Sequence, residues 1–356
     1  MSLIKKSMEV VFDKKRKPAM FLANFFTKKQ LDGIKLELQG RQVKALYSVD
    51  VKLGTGGRRV ELSNHETKEY TVPEYNDHDV ITEVDMFNTQ LGETEYTKVA
   101  ASIAGRITDK QENISDMQRR AEEKQASDSL FTGQIALAGG NKIEFNKKDT
   151  HTISKSAAKW NTAGGNPVAD IIAACKLCVV DGMVSSSVFN LILEDSGLSA
   201  LLANAKFIAN SSAIAGIKRS DINIPEEQTP GALFHGQFSV GSFIINLWTY
   251  NEKYMIPVGF DLAGEGTEVG YIPEGYGLVL PMKPNFRRYY GAVNSVDAST
   301  TSNIGGAKLS LQSVEQLPYA YDVVKGGSAY TEVGVKSRPL YVPADIDSFA
   351  TFKDLV

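Results

Sequence analysis

Histidine and cysteine are scarce in this chain of 356 residues. It has four histidines and two cysteines, and no two histidines stand at the helical spacing of metal ligands. Cys175 and Cys178 lie three residues apart without the second ligand pair that a structural zinc site needs. A disulfide within one helical turn is geometrically awkward. We therefore expect two reduced, buried thiols, no bound metal and no cofactor.

An excess of basic residues is also lacking. The 39 lysines and arginines are outnumbered by 42 aspartates and glutamates, which gives a formal net charge of −3. A duplex-binding domain is normally basic, because it neutralises phosphates. One local run, Lys14-Lys15-Arg16-Lys17, departs from this balance. A solvated face is the simplest interpretation of it, and contact with an acidic neighbouring surface or with DNA are the alternatives.

Membrane-spanning runs and catalytic motifs are absent from the sequence. No run of 18 apolar residues occurs, so no spanning helix is expected. The segment Gly54-Thr55-Gly56-Gly57 lacks the Gly-Lys-Ser/Thr ending of a phosphate loop. The segment Ser185-Ser186-Ser187 lacks a Gly-x-Ser-x-Gly frame and is interpreted as a helix cap. We expect no catalytic residue and no enzyme; an α+β enzyme with an unrecognised site and a carbohydrate- or surface-binding module are distant alternatives.

What the sequence does contain is a long alternation of apolar and polar residues. Residues 43–53 alternate with a period of two, with Leu46 as the one exception. Residues 54–57 then form a glycine-rich turn, and residues 58–62 return as the second strand. A two-stranded hairpin is only marginally stable alone, so this one is expected to lie on a neighbouring chain. An N-terminal arm with an aromatic block is expected to dock in the same way. The candidate inter-subunit contacts are Phe21, Phe25, Phe26, Tyr47, Val49, Val51, Leu53, Gly54, Gly56, Gly57 and Arg58.

Helical periodicity follows over residues 96–131, with an optional break near residues 107–109. A narrow apolar stripe, including Met117, lies opposite a wide charged face that includes Glu122 and Glu123. This pattern predicts a helix on the surface. Further elements are predicted as a hairpin over 135–145, helices over 167–181 and 188–193, and strands over 243–250, 268–271, 277–280, 330–335, 340–342 and 349–352.

Short motifs recur in order over nearly the whole chain. They are Phe21-Leu22 with Phe25-Phe26, Thr71-Val72-Pro73, Arg119-Arg120-Ala121-Glu122-Glu123, Trp160 with Pro167, Ile272-Pro273-Glu274-Gly275, Ser337-Arg338-Pro339-Leu340 and Pro343-Ala344-Asp345. In this order they resemble the motifs of the lambda-type major capsid protein, the capsid protein E family of tailed bacteriophages. Ile346 stands where the family has a second proline in its closing turn.

The resemblance implies an α+β Hong Kong 97-type coat fold. Its expected parts are an N-terminal arm (1–42), an extended hairpin loop (43–75), a peripheral domain with a long spine helix (76–165), an axial domain (166–335) and C-terminal strands returning to the peripheral domain (336–356). It also implies pentamers and hexamers in a closed shell around double-stranded DNA. Scaffolding, portal and decoration proteins are the expected partners, and the virion, assembled in the host bacterial cytoplasm, is the expected location. An encapsulin-type shell is the alternative.

Overall fold

A computed structural model describes residues 17–43, 63–82, 101–137, 140–213, 226–229, 231–259, 264–297, 308–325 and 328–356. Within these residues the predicted α+β class is confirmed, since strands outnumber helices and alternate with them along the chain. The helices are α1 Ala101–Phe131, α2 Pro167–Val180, α3 Asp195–Ala203 and α4 Ala205–Ala213.

The strands follow each other mostly through short turns. In chain order they are β1 Phe26–Gln30, β2 Lys35–Val43, β3 Ser63–Thr71, β4 Tyr75–Ile81, β5 Gln134–Ala136, β6 Lys142–Glu144, β7 Thr152–Ser154, β8 Val188–Leu193, β9 Glu226–Thr229, β10 Ala232–Val240, β11 Phe243–Tyr250, β12 Lys253–Met255, β13 Glu268–Gly270, β14 Gly277–Pro281, β15 Phe286–Tyr290, β16 Val293–Asp297, β17 Lys308–Gln312, β18 Leu317–Lys325, β19 Ser328–Ser337, β20 Pro339–Val342 and β21 Ala350–Lys353.

A mixed seven-stranded sheet, in the order β7-β21-β14-β8-β11-β10-β9, forms one half of the fold. Strand β8 lies in its middle, parallel to β11 and antiparallel to β14. All of β8 after Val188 is buried, because both faces of the strand are covered. The main core cluster combines this sheet with α2 and α3, and it contains Trp160, Cys175 and Phe189.

The prediction of a helix over residues 188–193 is therefore wrong. A short apolar run without periodicity does not distinguish a buried strand from a buried helix segment. The triple serine does not cap a helix either, since the Ser186 hydroxyl bonds to the backbone of Val188. By contrast, α2 begins as predicted. The Asn166 side chain accepts a hydrogen bond from the Ala169 N–H at 3.3 Å, and Pro167 takes the first helical position.

Helix α1 is continuous through residues 107–109, so the optional break is absent, and residues 96–100 lie outside the described residues. At 1.5 Å per residue the helix is about 46 Å long. It packs against β4, β19 and β20. The predicted surface face is wrong in its second half, because Glu122 and Glu123 are buried while Met117 is 45 % exposed.

Smaller sheets surround this helix. Two are three-stranded, in the orders β1-β15-β20 and β18-β19-β4, and the predicted hairpin over 135–145 is present as β5 and β6. These pairings cross the expected domain limits. Strand β19 pairs with β4, and β21 joins the large sheet beside β14. The five expected domains stay predictions.

Candidate assembly interface

The aromatic block of the N-terminal arm packs on its own chain. Phe21 and Phe26 are buried, and Phe25 is half-buried. The Phe21 ring lies 5.2–5.4 Å from the rings of Tyr250 and Trp248. The Phe26 ring lies 5.1–5.2 Å from those of Tyr341 and Phe286. The inter-subunit role of Phe21, Phe25 and Phe26 stays a prediction, and the burial of Phe21 and Phe26 within their own chain leaves them little surface for a neighbour.

A buried carboxylate holds this arm to the long helix. Glu123 Oε1 accepts hydrogen bonds from the Leu22 N–H at 2.7 Å and the Tyr250 hydroxyl at 2.9 Å, and Oε2 accepts one from the Ala23 N–H at 2.9 Å. Burial raises the pKa of Glu123 from 4.5 to about 7, although these hydrogen bonds favour the charged form. Glu123 therefore joins the arm, helix α1 and the large sheet. We call Glu123, Leu22, Ala23 and Tyr250 the arm clasp.

The neighbouring Glu122 joins the helix to the small sheet in the same way. Its Oε2 accepts hydrogen bonds from the hydroxyls of Tyr290 at 2.8 Å and Tyr341 at 2.7 Å. Burial raises the pKa of Glu122 above its ordinary value, against the opposing effect of the two tyrosines. Two adjacent glutamates thus bond to different sheets. No sequence pattern indicated this, because a Glu-Glu pair on a helix is normally solvated.

The base of the extended hairpin is an antiparallel ladder, from Lys35 opposite Thr71 to Val43 opposite Ser63. The ladder thus starts eight residues before the expected residue 43. It is anchored to the body by buried Leu36, which packs in a cluster with Ile135, Phe145 and Leu340. The candidate contacts Tyr47, Val49, Val51, Leu53, Gly54, Gly56, Gly57 and Arg58 lie outside the described residues, so their role stays a prediction.

Exposed apolar and aromatic side chains occur elsewhere on the described surface. Met255, at the end of β12, is 63 % exposed, and Val258, between β12 and β13, is 70 % exposed. On the outer face of β18, the rings of Tyr319 and Tyr321 stack with centroids 5.8 Å apart. Such patches are typical of protein contact surfaces, although the Lys336 ammonium group lies over the Tyr319 ring.

Metal ligation and thiol chemistry can be assessed in the described part of the chain. It contains no cluster of three or more His, Cys, Asp or Glu residues that could hold a metal ion. Cys175 and Cys178 are buried free thiols, and burial raises the pKa of Cys175 to about 12 and that of Cys178 further. None of the described helices combines the length and apolarity needed to cross a membrane.

Known proteins resemble this chain mainly in fold. A putative capsid protein of a prophage from Escherichia coli CFT073 superimposes with a TM-score of 0.59 at 16 % identity, over 95 % of this chain and 93 % of that one. The mature capsid of bacteriophage PhiM1 gives 0.51 at 9 % identity, over 99 % and 91 %. An encapsulin complex from Synechococcus elongatus PCC 7942 gives 0.44 at 9 % identity, over 99 % and 92 %. A search of curated proteins finds no significant match.

The first two structures show that the fold is the Hong Kong 97-type capsid fold, as predicted. A family model for phage major capsid protein E matches residues 8–353, which is nearly the whole chain. The resemblance read from the short ordered motifs is thereby confirmed. The chain belongs to the phage major capsid protein E family.

Proposed function

We propose that copies of this chain assemble as pentamers and hexamers into the icosahedral head of a tailed bacteriophage, which encloses double-stranded DNA. The observation that carries the proposal is the family match over residues 8–353. The buried, reduced thiols and the missing metal ligands of the described residues fit a structural subunit without a catalytic step. The net charge of −3 fits a protein that encloses DNA without sequence-specific binding.

The two halves of the fold correspond to the two main domains that we propose. The large sheet with α2, α3 and α4 would form the axial domain, and α1 with β4, β18 and β19 the peripheral domain. The strand pairing favours moving β15 to β19 from the expected axial range 166–335 to the peripheral side, because β15 pairs with β1 and β19 with β4. Scaffolding, portal and decoration proteins are the proposed partners, and the virion, assembled in the host cytoplasm, is the proposed location.

Expression of the full chain, with and without a scaffolding partner, tests the proposal. We expect closed particles of uniform size by negative-stain electron microscopy. A species that stays monomeric under all conditions, with scaffold present, would overturn the proposal. The contents of the particles then separate a phage head from an encapsulin-type shell, since packaged DNA supports the first and a protein cargo the second.

We further propose that the hairpin loop is a clamp between subunits. Burying the apolar side chains Tyr47, Val49, Val51 and Leu53 on a neighbour contributes several kcal/mol per contact before ordering costs, at about 25 cal/mol per Å². Many copies of a weak contact stabilise a shell. The clamp residues stand between the paired positions Val43 and Ser63, which permits a clean truncation.

Replacing residues 44–62 by Asn-Gly keeps the ladder of β2 and β3, because this dipeptide favours a two-residue hairpin turn. We expect a folded subunit that forms no stable shells. The matched control replaces residues 298–307 by the same dipeptide between the paired residues Asp297 and Lys308, and it should assemble. Shells of normal size and stability from the first variant would show that the hairpin is not the clamp.

A further inference from the structure

The start of the arm is held to the rest of the subunit by one polar side chain. We call residues 17–24 the strap. Beyond the local turn that leads into β1, the hydrogen bonds that the described residues show between the strap and the body all end on the Glu123 carboxylate. The other contacts are apolar, since Ala19 and Phe21 belong to the same core cluster as Tyr250. A segment with a single polar attachment can open without unfolding the sheets beneath it.

Both protonation states of Glu123 satisfy the hydrogen bonds of the closed strap. The ionised carboxylate accepts bonds from the N–H groups of Leu22 and Ala23 and from the Tyr250 hydroxyl. When Glu123 is protonated, the Tyr250 hydroxyl can turn and accept the carboxyl proton, because a phenol both donates and accepts. The hydroxyl oxygen of Glu123 keeps a lone pair for the Leu22 N–H. The carboxyl group can therefore be neutral or charged without losing a partner.

The two states differ in the cost of burying a charge. Glu123 is fully buried, and the groups that donate to it are two amides and a phenol, which are neutral. Burial raises its pKa from 4.5 to about 7 in spite of these hydrogen bonds. The titratable and charged groups around the clasp are Tyr250, Tyr271 and Glu252 on the sheet side and Glu122 and Arg120 on α1. An ionised Glu123 gains free energy when water reaches it, and a protonated one gains little.

We propose that the strap is a proton-controlled latch of the subunit, which is closed over the large sheet while Glu123 is protonated and opens when Glu123 is ionised. An open strap exposes Phe21 together with the rings of Trp248 and Tyr250, which the closed strap covers. Strand β1 stays paired with β15 in both states, so the opening ends at the turn before Phe26. The inference goes beyond shell formation, since it concerns the single subunit.

The direction and size of the pH effect follow from the environment of the carboxyl group. In the open strap Glu123 has its ordinary pKa of 4.5, and in the closed strap its pKa is about 7. The stabilisation of the closed strap by the proton is therefore fully present below pH 4.5 and is lost as the pH rises through 7. Between pH 6 and pH 8 these two pKa values give an about tenfold fall in the ratio of closed to open strap.

Thiol labelling of unassembled subunits of the full chain measures the opening. The thiol of Ala19→Cys lies under the closed strap and should react with a methanethiosulfonate reagent only in the open form. Asn24→Cys, at an exposed position, gives the rate of an unprotected thiol at each pH. Cys175 and Cys178 are buried in the main core cluster, and the unmodified chain gives their background. The protection of Ala19→Cys relative to Asn24→Cys should fall about tenfold from pH 6 to pH 8.

Two controls separate the latch from other causes of labelling. Ala350→Cys, buried in β21, becomes reactive only when the subunit unfolds, so at each pH it should be at least about tenfold better protected than Ala19→Cys. Adding Glu123→Gln to Ala19→Cys removes the titrating group, and the protection should then be independent of pH.

The opposite results overturn the proposal. Equal protection of Ala19→Cys and Ala350→Cys would show that the strap opens only on global unfolding. Protection of Ala19→Cys that is constant or rises from pH 6 to pH 8, or a fall that persists in the Glu123→Gln variant, would show that Glu123 does not control the strap. If the glutamine variant does not fold, the pH profiles of the Ala19→Cys and Ala350→Cys chains still decide between these results.

Discussion

The substitution Glu123→Gln tests the arm clasp at a single atom. The carboxylate accepts hydrogen bonds at both oxygens, whereas the amide offers one oxygen and one nitrogen without a free lone pair. Whichever way the amide turns, a backbone N–H of Leu22 or Ala23 faces another donor in a fully buried position. A buried donor without a partner costs about 1–3 kcal/mol. The protonated glutamate avoids most of this cost, because its hydroxyl oxygen still accepts.

The effect of pH gives this prediction its sign. The folded-state pKa of Glu123 is raised to about 7 from 4.5, so its contribution to stability is fully present below pH 4.5 and is lost as the pH rises through 7. The difference between these pKa values is equivalent to about 3 kcal/mol of unfolding free energy. Glutamine has no such dependence. The variant should therefore be about 2 kcal/mol less stable than the wild type near pH 5, and the difference should vanish or reverse near pH 8.

The stability difference near pH 5 and near pH 8 is measured by urea denaturation, with tryptophan fluorescence as the signal. The protein used is the subunit with residues 44–62 replaced by Asn-Gly. Trp248 contacts Phe21 of the arm and so reports on the clasp. Glu268→Gln, which removes an exposed carboxylate of β13, is the matched control and should change neither value. A stability difference between Glu123→Gln and the wild type that is constant with pH, or that grows as the pH rises, would refute the reasoning.

Three further variants probe other contacts, each by urea or thermal denaturation. Tyr341→Phe removes a hydrogen-bond donor from a buried carboxylate and should cost about 1–3 kcal/mol; an unchanged midpoint would show that the bond contributes nothing. Gly182→Ala places a Cβ 2.4 Å from the Asp347 carbonyl oxygen, so a loss of about 1–3 kcal/mol is expected, and wild-type stability would contradict this close approach. Cys175→Ser with Cys178→Ser should cost about 1–3 kcal/mol per site and spare assembly; lost assembly at an unchanged melting temperature would place the thiols at an interface instead.

Periodicity alone predicted the elements whose environment is simple. Helix α2 has its cap, its proline and one apolar stripe within a single segment, and β11 has the predicted bounds, Phe243–Tyr250. The prediction for β8 was wrong because this strand is buried on both faces and therefore lacks the alternation of apolar and polar residues that indicates a strand. The family was predicted from the order of short motifs. Because these motifs are spread over nearly the whole chain, the prediction does not depend on any one helix or strand.

The arm clasp could not be predicted, because it depends on distant partners. Glu123 and Leu22 are 101 positions apart, and the Tyr250 hydroxyl comes from another sheet. In the sequence, Glu122 and Glu123 stand among charged residues, so the pattern predicts that they are exposed like those neighbours. Only tertiary structure supplies the donors that make burial of two carboxylates tolerable. The aromatic block was recognised as a docking element, but the sequence could not show that its surface belongs to the same chain.

The pairing of β21 with β7 has a consequence for synthesis on the ribosome. Thr351 lies opposite Thr152, 199 positions earlier, and Phe26 of β1 lies opposite Phe286, 260 positions later. Neither sheet can be completed until most of the chain has been translated, and contacts of such sequence separation form slowly. Nascent chains therefore expose unpaired strand edges on both halves for much of their synthesis. A slow, late closure of this kind makes the yield of folded subunits sensitive to chaperones and to the rate of translation.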